Sequence, residues 1–304
     1  MALKYIKLKI LSVKKTSTVT RAMEAVSAVK MRKAQERALG GRAYAAAALT
    51  ILERLSSSQE IKVHPLARQK EGKTLVVIIT SDKGLAGALN SNVIRETERE
   101  LSRRRLDKDE VVLVALGRRG ADYFTNRGYD VRARHENLSD SISEDDMRFV
   151  TDTVLELHTS GEITSCLIAY MNFQSTFEQK PVVRQLLPLT PELIGAMVQG
   201  IVPAKGKYSG LAKSDLANPS TYTIEPDVET VVKELMPKLL NIAVYHGLLE
   251  AKASEHSARM VAMKSATDKA RDMAKMLTRK FNKVRQAAIT REVSEITSGI
   301  EAMK

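Results

Sequence analysis

The chain has 304 residues, a net charge of +12 at pH 7 and 43% hydrophobic residues, but only 4% aromatics and no Trp. That length holds one or two domains with a real core, and the shortage of aromatics suits narrow helix–helix seams better than a broad globular interior. The single cysteine, Cys166, excludes an intramolecular disulfide and fits a reducing compartment. The longest strongly apolar run, Leu75–Ile79, is far too short to span a bilayer, and the N-terminus lacks the apolar core of a signal peptide.

Charge is unevenly spread. Residues 1–55 carry 12 Lys/Arg against three acids, and residues 252–304 carry 12 against six, which leaves the stretch between them at −3. Two basic ends around a neutral-to-acidic middle call for a partner with an acidic surface: protein, nucleic acid or lipid.

Residues 2–55, within a first segment reaching residue 58, read as one long helix. They contain no proline, and Gly40–Gly41 is the only weak point. Ile6, Ile10, Val13, Thr20, Met23, Val26 and Val29 fall roughly on one side, and Ala43–Leu49 is strongly helix-favouring. Its basic run is Lys14, Lys15, Arg21, Lys30, Arg32, Lys33 and Arg37. A solvated face is the ordinary reading of such a run. Here few acids stand at i,i+4, and like charges at that spacing destabilise an isolated helix, which weakens that reading; a facing acidic surface would relieve the repulsion. Met23 lies on the seam side, where a Met is ordinarily a core residue.

Residues 56–72, with Ser56–Ser58 and Pro65, read as a linker. From Thr74 the pattern changes class. Thr74–Thr80 is a β-branched run, best read as a buried strand. Asn90–Arg104 reads as a charged helix, Glu110–Leu116 as a second strand, and Arg118–Asn126 as a short helix ended by Gly128. Ser143–Asp146 resembles a capping box that opens a helix to about Thr159. Ser165–Asn172 reads as a third strand and Pro181–Leu187 as a fourth. Strands alternating with helices over residues 73–190 predict an α/β layer structure with a largely parallel sheet. Cys166, in the apolar stretch Cys166–Tyr170, reads as a buried structural thiol. Residues 191–226, rich in proline and glycine, read as a long loop.

The last segment, residues 227–304, carries the strongest pattern. Pro226 can open a helix at its first turn, and Pro237 either kinks that helix or starts the long one. Beyond it, Leu239, Ile242, His246, Leu249, Ala253, His256, Met260, Met263, Thr267, Ala270, Ala274, Leu277, Phe281, Val284 and Ala288 keep a 3.5-residue period over roughly seven heptads, as in a left-handed coiled coil. A helix of about 60 residues would be roughly 90 Å long, more than a pocket needs. His246 and His256 are ten residues apart and cannot form a metal pair on adjacent turns; they read as polar seam residues that fix register. The two terminal helices must bury their stripes, and the simplest partners are each other. A mid-chain domain that returns the chain to its start makes them antiparallel, with part of the longer C-terminal helix projecting alone.

Few residues suggest chemistry. Ser81–Asn90 follows a strand and precedes a helix, as a glycine-rich phosphate loop would, but Gly84 and Gly87 match neither GxGxxG nor GxxxxGK[ST]. There is no Ser/His/Asp set, no Cys/His ligand cluster and no Walker motif, so no catalytic residue, cofactor or metal is expected.

Three stretches together resemble the gamma subunit of F-type ATP synthases, the central rotor shaft. They are Ser12–Gln35 (SVKKTSTVTRAMEAVSAVKMRKAQ), Ser81–Asn90 (SDKGLAGALN) and Ala253–Asp268 (ASEHSARMVAMKSATD), the last continued by Phe281–Thr290. The resemblance covers essentially the whole chain in order. It implies an antiparallel coiled coil of the terminal helices above a Rossmann-like domain, standing inside a hexamer of alpha and beta subunits, with the foot on the membrane-embedded c-ring and holding the epsilon subunit. It also implies a peripheral place at the cytoplasmic face of a bacterial membrane. Carried over residue by residue, it makes Arg21, Met23, Lys30, Arg32, Lys33, Ser81, Asp82, Lys83, Gly84, Asn90, Arg259, Lys264, Arg285 and Gln286 the partner-binding positions. The family usually has Arg where Lys83 stands, and Lys lacks the bidentate fork. It often has Cys at Ala86 and Gly at Ala88, and the regulatory dithiol of chloroplast members is impossible with Cys166 alone.

The expected function is therefore mechanical coupling. Shaft rotation would present a different side to each beta subunit in turn and change nucleotide affinity through differential contacts. A basic coiled-coil nucleic-acid binder is the alternative: the charge fits, but the basic ends lack stacking aromatics and a groove-reading motif. An α/β nucleotide enzyme with helical arms is the third reading.

Overall fold

The computed structural model describes residues 2–55, 63–68, 72–190, 193, 225 and 227–303. The expected 191–226 loop, apart from residues 193 and 225, and most of the expected linker lie outside the described residues. The elements run α1 (Ala2–Leu55), β1 (Lys73–Ile79), α2 (Leu89–Arg103), β2 (Val111–Leu116), α3 (Arg118–Asn126), β3 (Asp130–His135), α4 (Arg148–Thr159), β4 (Ile163–Phe173), β5 (Gln179–Leu187) and α5 (Val228–Glu301). They form two compact units: residues 29–258, and residues 1–28 with 259–304. Helices α1 and α5 each contribute to both.

The larger unit is built on a five-stranded sheet of order β3-β2-β1-β4-β5. Its first three pairings are parallel and β4–β5 is antiparallel. The continuous apolar runs of β1 and β2 have the physical cause the sequence suggested, burial on both faces. Leu75, Val77, Ile79, Val112, Val114 and Leu116 pack on one face, against Val150 and Val154 of α4 and Leu240, Val244 and Leu248 of α5. Val76, Ile78, Leu113 and Ala115 pack on the other, against Val93 of α2 and Phe124 of α3. Each large aliphatic side chain so buried is worth about 1.5–3 kcal/mol. Cys166 is fully buried in the first of these cores, and burial pushes its thiol well above the ordinary range, so it is an inert core group.

Helix α5 fits the sheet because its mid-helix glycine has a purpose. A Cβ on Gly247 would stand 2.9 Å from Ile168 Cδ1 and 3.5 Å from the Tyr170 ring, so the missing side chain lets the helix lie close on β4. Around it, Glu250 accepts from Asn172 Nδ2 (2.6 Å) and Ser254 Oγ donates to the Met171 carbonyl (2.9 Å), which satisfies polar groups that burial would otherwise strand. Asp227 caps the helix start by accepting from the Thr230 amide (2.8 Å). Pro237 lies inside α5 and starts nothing.

Two elements differ from the sequence reading. Strand β3 was not expected, because Asp-Val-Arg-Ala-Arg-His contains no apolar run. It forms as a charged edge strand, with Arg132 paired to Asp130 and Glu162, and Arg134 to Asp122 and Glu136. Such charges discourage edge-to-edge pairing with another chain. At Ser143–Asp146 the box does form, the Ser143 amide donating to Asp146 and the Asp146 amide to Ser143 Oγ. It opens a 3-10 turn, Asp145–Met147, ahead of α4.

In the smaller unit the two terminal helices pack together. Thr20 and Thr267 share a hydrogen bond between their hydroxyls (2.7 Å), and Met263, Thr267, Ala270, Ala274 and Leu277 are buried at 3.5-residue spacing. Phe281 and Val284 are half-buried, and every residue from Arg285 to Met303 is exposed. In this unit the expected stripe is buried or half-buried from Met260 to Val284 and fails at Ala288, which is exposed; its earlier members lie in the larger unit, where Leu239 and Ile242 join the sheet's core and His256 bonds Asp140 instead of fixing a helix–helix register. On α1 the inward residues are Leu3, Ile6, Ile10, Val13, Ser17, Thr20, Met23, Ser27 and, continuing into the larger unit, Met31 and Ala34. Val26 and Val29, expected in the seam, are each 55% exposed, whereas Ser27 is 3% exposed. The seam takes the small residue at the right register over the more apolar one beside it.

Gly117, at the carboxyl end of β2, adopts φ +101°, and a Cβ there would stand 2.0 Å from the Thr80 carbonyl oxygen. Gly117→Ala combines left-handed strain with a backbone clash, and we expect it to destabilise the sheet unit by about 3 kcal/mol. Urea unfolding followed by circular dichroism measures this; a loss below about 1 kcal/mol would show that the turn relaxes freely.

Candidate functional site

The loop from Ser81 to Ala88 follows β1 and precedes α2, at the carboxyl edge of the parallel strands. Three of its expected contact residues are turned into its own framework. Ser81 is buried; its amide donates to Asn90 Oδ1 (2.9 Å), its hydroxyl donates to the Lys83 carbonyl (2.7 Å), and Asn90 Nδ2 donates back to Ser81 Oγ (2.8 Å). Asp82 points to the start of α3, where its carboxylate accepts from the Arg118 amide (3.0 Å) and the Asn137 amide (2.9 Å). A helix N-terminus with free amides is an anion site. Here the chain's own carboxylate fills the place a bound phosphate would take.

This framework presents Lys83 and Leu85 outward. Lys83 is exposed, and Leu85 is 62% exposed with φ +65°. Leu85 is thus held in the left-handed region, uncommon for a residue other than glycine, with its side chain in solvent. The sequence reading missed it. The available signal was a lone large apolar residue between Gly84 and Gly87 in an otherwise polar loop. Gly84 is half-buried and engaged within the chain.

The adjoining cleft, bordered by Thr80, Asp82, Gly117, Leu248, Lys252 and Glu255, holds about 20 Å³. That is room for a water, against the roughly 300 Å³ or more of a small-molecule site. Helix α5 fills the position where a doubly wound sheet would hold a nucleotide.

The basic positions on the helices divide by burial. In the smaller unit, Arg21, Lys264, Arg285 and Gln286 are exposed and Met23 is half-buried. Arg259, which the resemblance makes a partner-binding position, is buried and engaged within the chain. On α1 within the larger unit, Arg32 and Lys33 are exposed, while Lys30 is paired with Asp140 at 2.8 Å. Sequence reasoning also missed a second apolar row on α1: Leu8, Leu11, Val19 and Val26 are all exposed beside Lys4, Lys7, Lys15 and Arg21. Ile289, Val293, Ile296, Ile300 and Met303 form a similar exposed row at the end of α5. Among the described residues no group of His, Cys, Asp and Glu is arranged to hold a metal ion, and no helix is long and apolar enough to cross a membrane.

The comparisons with known proteins agree on one family. A family model described as ATP synthase matches residues 2–303. The ATP synthase gamma chain of Heliobacterium modesticaldum is 39% identical over 300 residues, covering 98% of each chain. That of Pelotomaculum thermopropionicum is 38% identical over 304 residues, covering 100% of this chain and 99% of its own. Among solved structures, the rotor of the Euglena gracilis mitochondrial ATP synthase in rotational state 1 superposes with a TM-score of 0.61 at 16% identity, over 95% of this chain and 99% of that one. A second structure of that enzyme, containing OSCP, F1 and c-ring in rotational state 3, gives 0.64 at 18% identity, over 99% and 94%. At these identities the solved structures attest the fold.

The loop framework makes a local prediction. Asp82→Ala removes the acceptor for two backbone amides and should speed hydrogen exchange at Arg118 and Asn137 at least tenfold, with a stability loss of about 1 kcal/mol. Asp82→Asn keeps one acceptor oxygen and sets an NH2 group against the other amide, so it should protect only one of the two sites. Unchanged exchange in Asp82→Ala would show that the carboxylate does not organise the turn.

Proposed function

The chain belongs to the ATP synthase gamma-chain family, and from that premise we propose that it works without chemistry of its own. It is the central-stalk rotor subunit of a proton-translocating F-type ATP synthase, coupling c-ring rotation to conformational change at the catalytic sites of the beta subunits. Its partners are the alpha and beta subunits of the head, the epsilon subunit and the c-ring; none of the relatives points to nucleic acid. It is a peripheral part of the membrane complex, and in a bacterium its place is the cytoplasmic face.

One observation carries the mechanical reading: the smaller unit pairs two helices through small residues and leaves the last turns of one of them bare. A pair of interlocked helices resists twisting, as a shaft must. Its outside carries Arg21, Lys264 and Arg285 in solvent, and screened surface ion pairs are worth only about 0–1 kcal/mol each. Contacts that weak are made and broken cheaply as the shaft turns past three beta subunits. A pair of unlike helices is also asymmetric about its long axis, so each angle gives each catalytic site a different set of contacts. Only such differential contacts can shift nucleotide affinity.

The surfaces divide the work in this reading. Lys83 and Leu85 form a loop contact to a catalytic subunit, with Ser81, Asp82 and Asn90 as its support. Arg21, Met23, Arg32, Lys33, Lys264, Arg285 and Gln286 meet the acidic C-terminal regions of the beta subunits. The exposed row from Ile289 to Met303 rests in an apolar sleeve of the head. The filled cleft beside Lys252 supports the absence of catalysis by this chain, since a nucleotide has no room there.

Co-expression with alpha and beta subunits tests the assembly, and one copy of this chain per six is expected. In that complex, deleting the last few residues should lower torque by a few-fold while rotation persists. Loss of assembly on so short a truncation would contradict a bearing at the tip, and saturable ATP binding by the isolated chain would contradict the division of labour.

A further inference from the structure

One carboxylate in the larger unit gathers cations from both long helices. Asp140 lies on the segment between β3 and α4. Its Oδ2 accepts from Lys30 Nζ of α1 at 2.8 Å. Its Oδ1 stands 3.3 Å from Lys252 Nζ and 3.1 Å from His256 Nε2, both of α5. Its backbone carbonyl accepts from Arg37 Nη1 of α1. Lys30 and Arg37 are seven residues apart, two turns along one side of α1. Lys252 and His256 are four apart, one turn along α5. Two grips from each helix therefore close on a single residue of the sheet unit.

The segment that carries Asp140 is itself tied at both ends. Toward β3, the Asn137 amide donates to Asp82 (2.9 Å) and Lys252 Nζ donates to the Leu138 carbonyl (2.7 Å). Toward α4, Tyr245 Oη donates to the Ile142 carbonyl (3.3 Å) and Asn241 Nδ2 to the Glu144 carbonyl (3.0 Å). Lys252 and His256 are nearly buried, with side chains 13% and 7% exposed. Charged contacts in such surroundings are screened much less by salt than exposed ones. The hydrogen bond from His256, with the Lys30 and Lys252 charges, outweighs burial and holds the Asp140 carboxyl well below the usual carboxylate range, so it stays ionised. The carboxylate thus joins a lysine of each long helix, Lys30 of α1 and Lys252 of α5.

We propose that Asp140 is a positioning residue that clasps α1 and α5 to the sheet, making this junction stiff to twisting so that torque passes between the helices and the α/β layer. The inference rests on the rotor reading and goes beyond it by assigning transmission to a residue that touches neither the head nor the c-ring on that reading. Asp140 then matters when the enzyme works against a load and little when it runs free. A residue needed only for folding would affect both equally.

The test uses the assembled complex, with elastic compliance read from angular fluctuations of the stalled rotor in single-molecule rotation. Asp140→Asn keeps shape and removes the charge. We expect assembly and unloaded ATP hydrolysis within twofold of the parent, compliance raised at least twofold, and ATP synthesis against a proton gradient lowered several-fold. Asp140→Glu should restore most of the stiffness. Lys30→Gln, which removes a half-exposed donor, should raise compliance by a smaller amount and carries the test if Asp140→Asn fails to assemble. Unchanged compliance in both Asp140→Asn and Lys30→Gln overturns the clasp, as does a fall in unloaded hydrolysis that matches the fall in synthesis. If the parent chain does not enter a complex with alpha and beta subunits, the rotor reading has failed instead.

Discussion

Everything in this molecule follows from pairing its first helix with its last through side chains too small to hold them apart. Thr20 meets Thr267, and Ser17, Ser27, Ala270 and Ala274 line the same seam. Small residues let two helices approach closely and interlock along their length, at the cost of burying little area per residue. The Thr267 hydroxyl also donates to the Met263 carbonyl (2.8 Å), so a polar group enters the seam with its hydrogen bond satisfied. The narrow seam leaves most of each helix surface outside, and there the chain places its positive charge.

How much of this could be read beforehand depended on how each element announces itself. The α5 stripe was legible because the 3.5-residue period is carried by large or distinctive residues such as Leu239, Leu249, Met263 and Leu277. On α1 the same period is carried partly by Ser17 and Ser27, which a hydrophobicity reading counts as polar, so it settled on Val26 and Val29, which face outward. Strands β1, β2 and β4 were legible because burial on both faces demands unbroken apolar runs. Strand β3 was not, because a charged edge strand differs from a loop only through its pairing with β2. The Ser81–Asn90 loop was visible as a motif. Which of its residues point out was not, since that depends on the start of α3 and the turn at Asn137, both distant in sequence. Lys30 illustrates the same limit: its partner Asp140 is 110 residues away.

The carboxyl edge of the sheet shows how a nucleotide-type scaffold is put to another use. A doubly wound sheet offers a crevice and a helix N-terminus to phosphate. Here α5 occupies the crevice and Asp82 supplies the anion. The loop that would have closed over a ligand is held by Ser81 and Asn90 to display Lys83 and Leu85. The same layer that loses its ligand site gains an anchor for a long helix, with Gly247 allowing the close approach on β4.

The central claim is that the two terminal helices turn together as one body and do not slide past each other. It is tested most directly by locking them. Thr20→Cys with Thr267→Cys places two thiols where hydroxyl oxygens stand 2.7 Å apart, and the buried Cys166 will not compete. The crosslink is expected to form readily in the assembled complex and to leave ATP-driven rotation and synthesis at the level of the reduced protein. Rotation that stops on oxidation and returns on reduction would show that the helices must move against each other, and would contradict it.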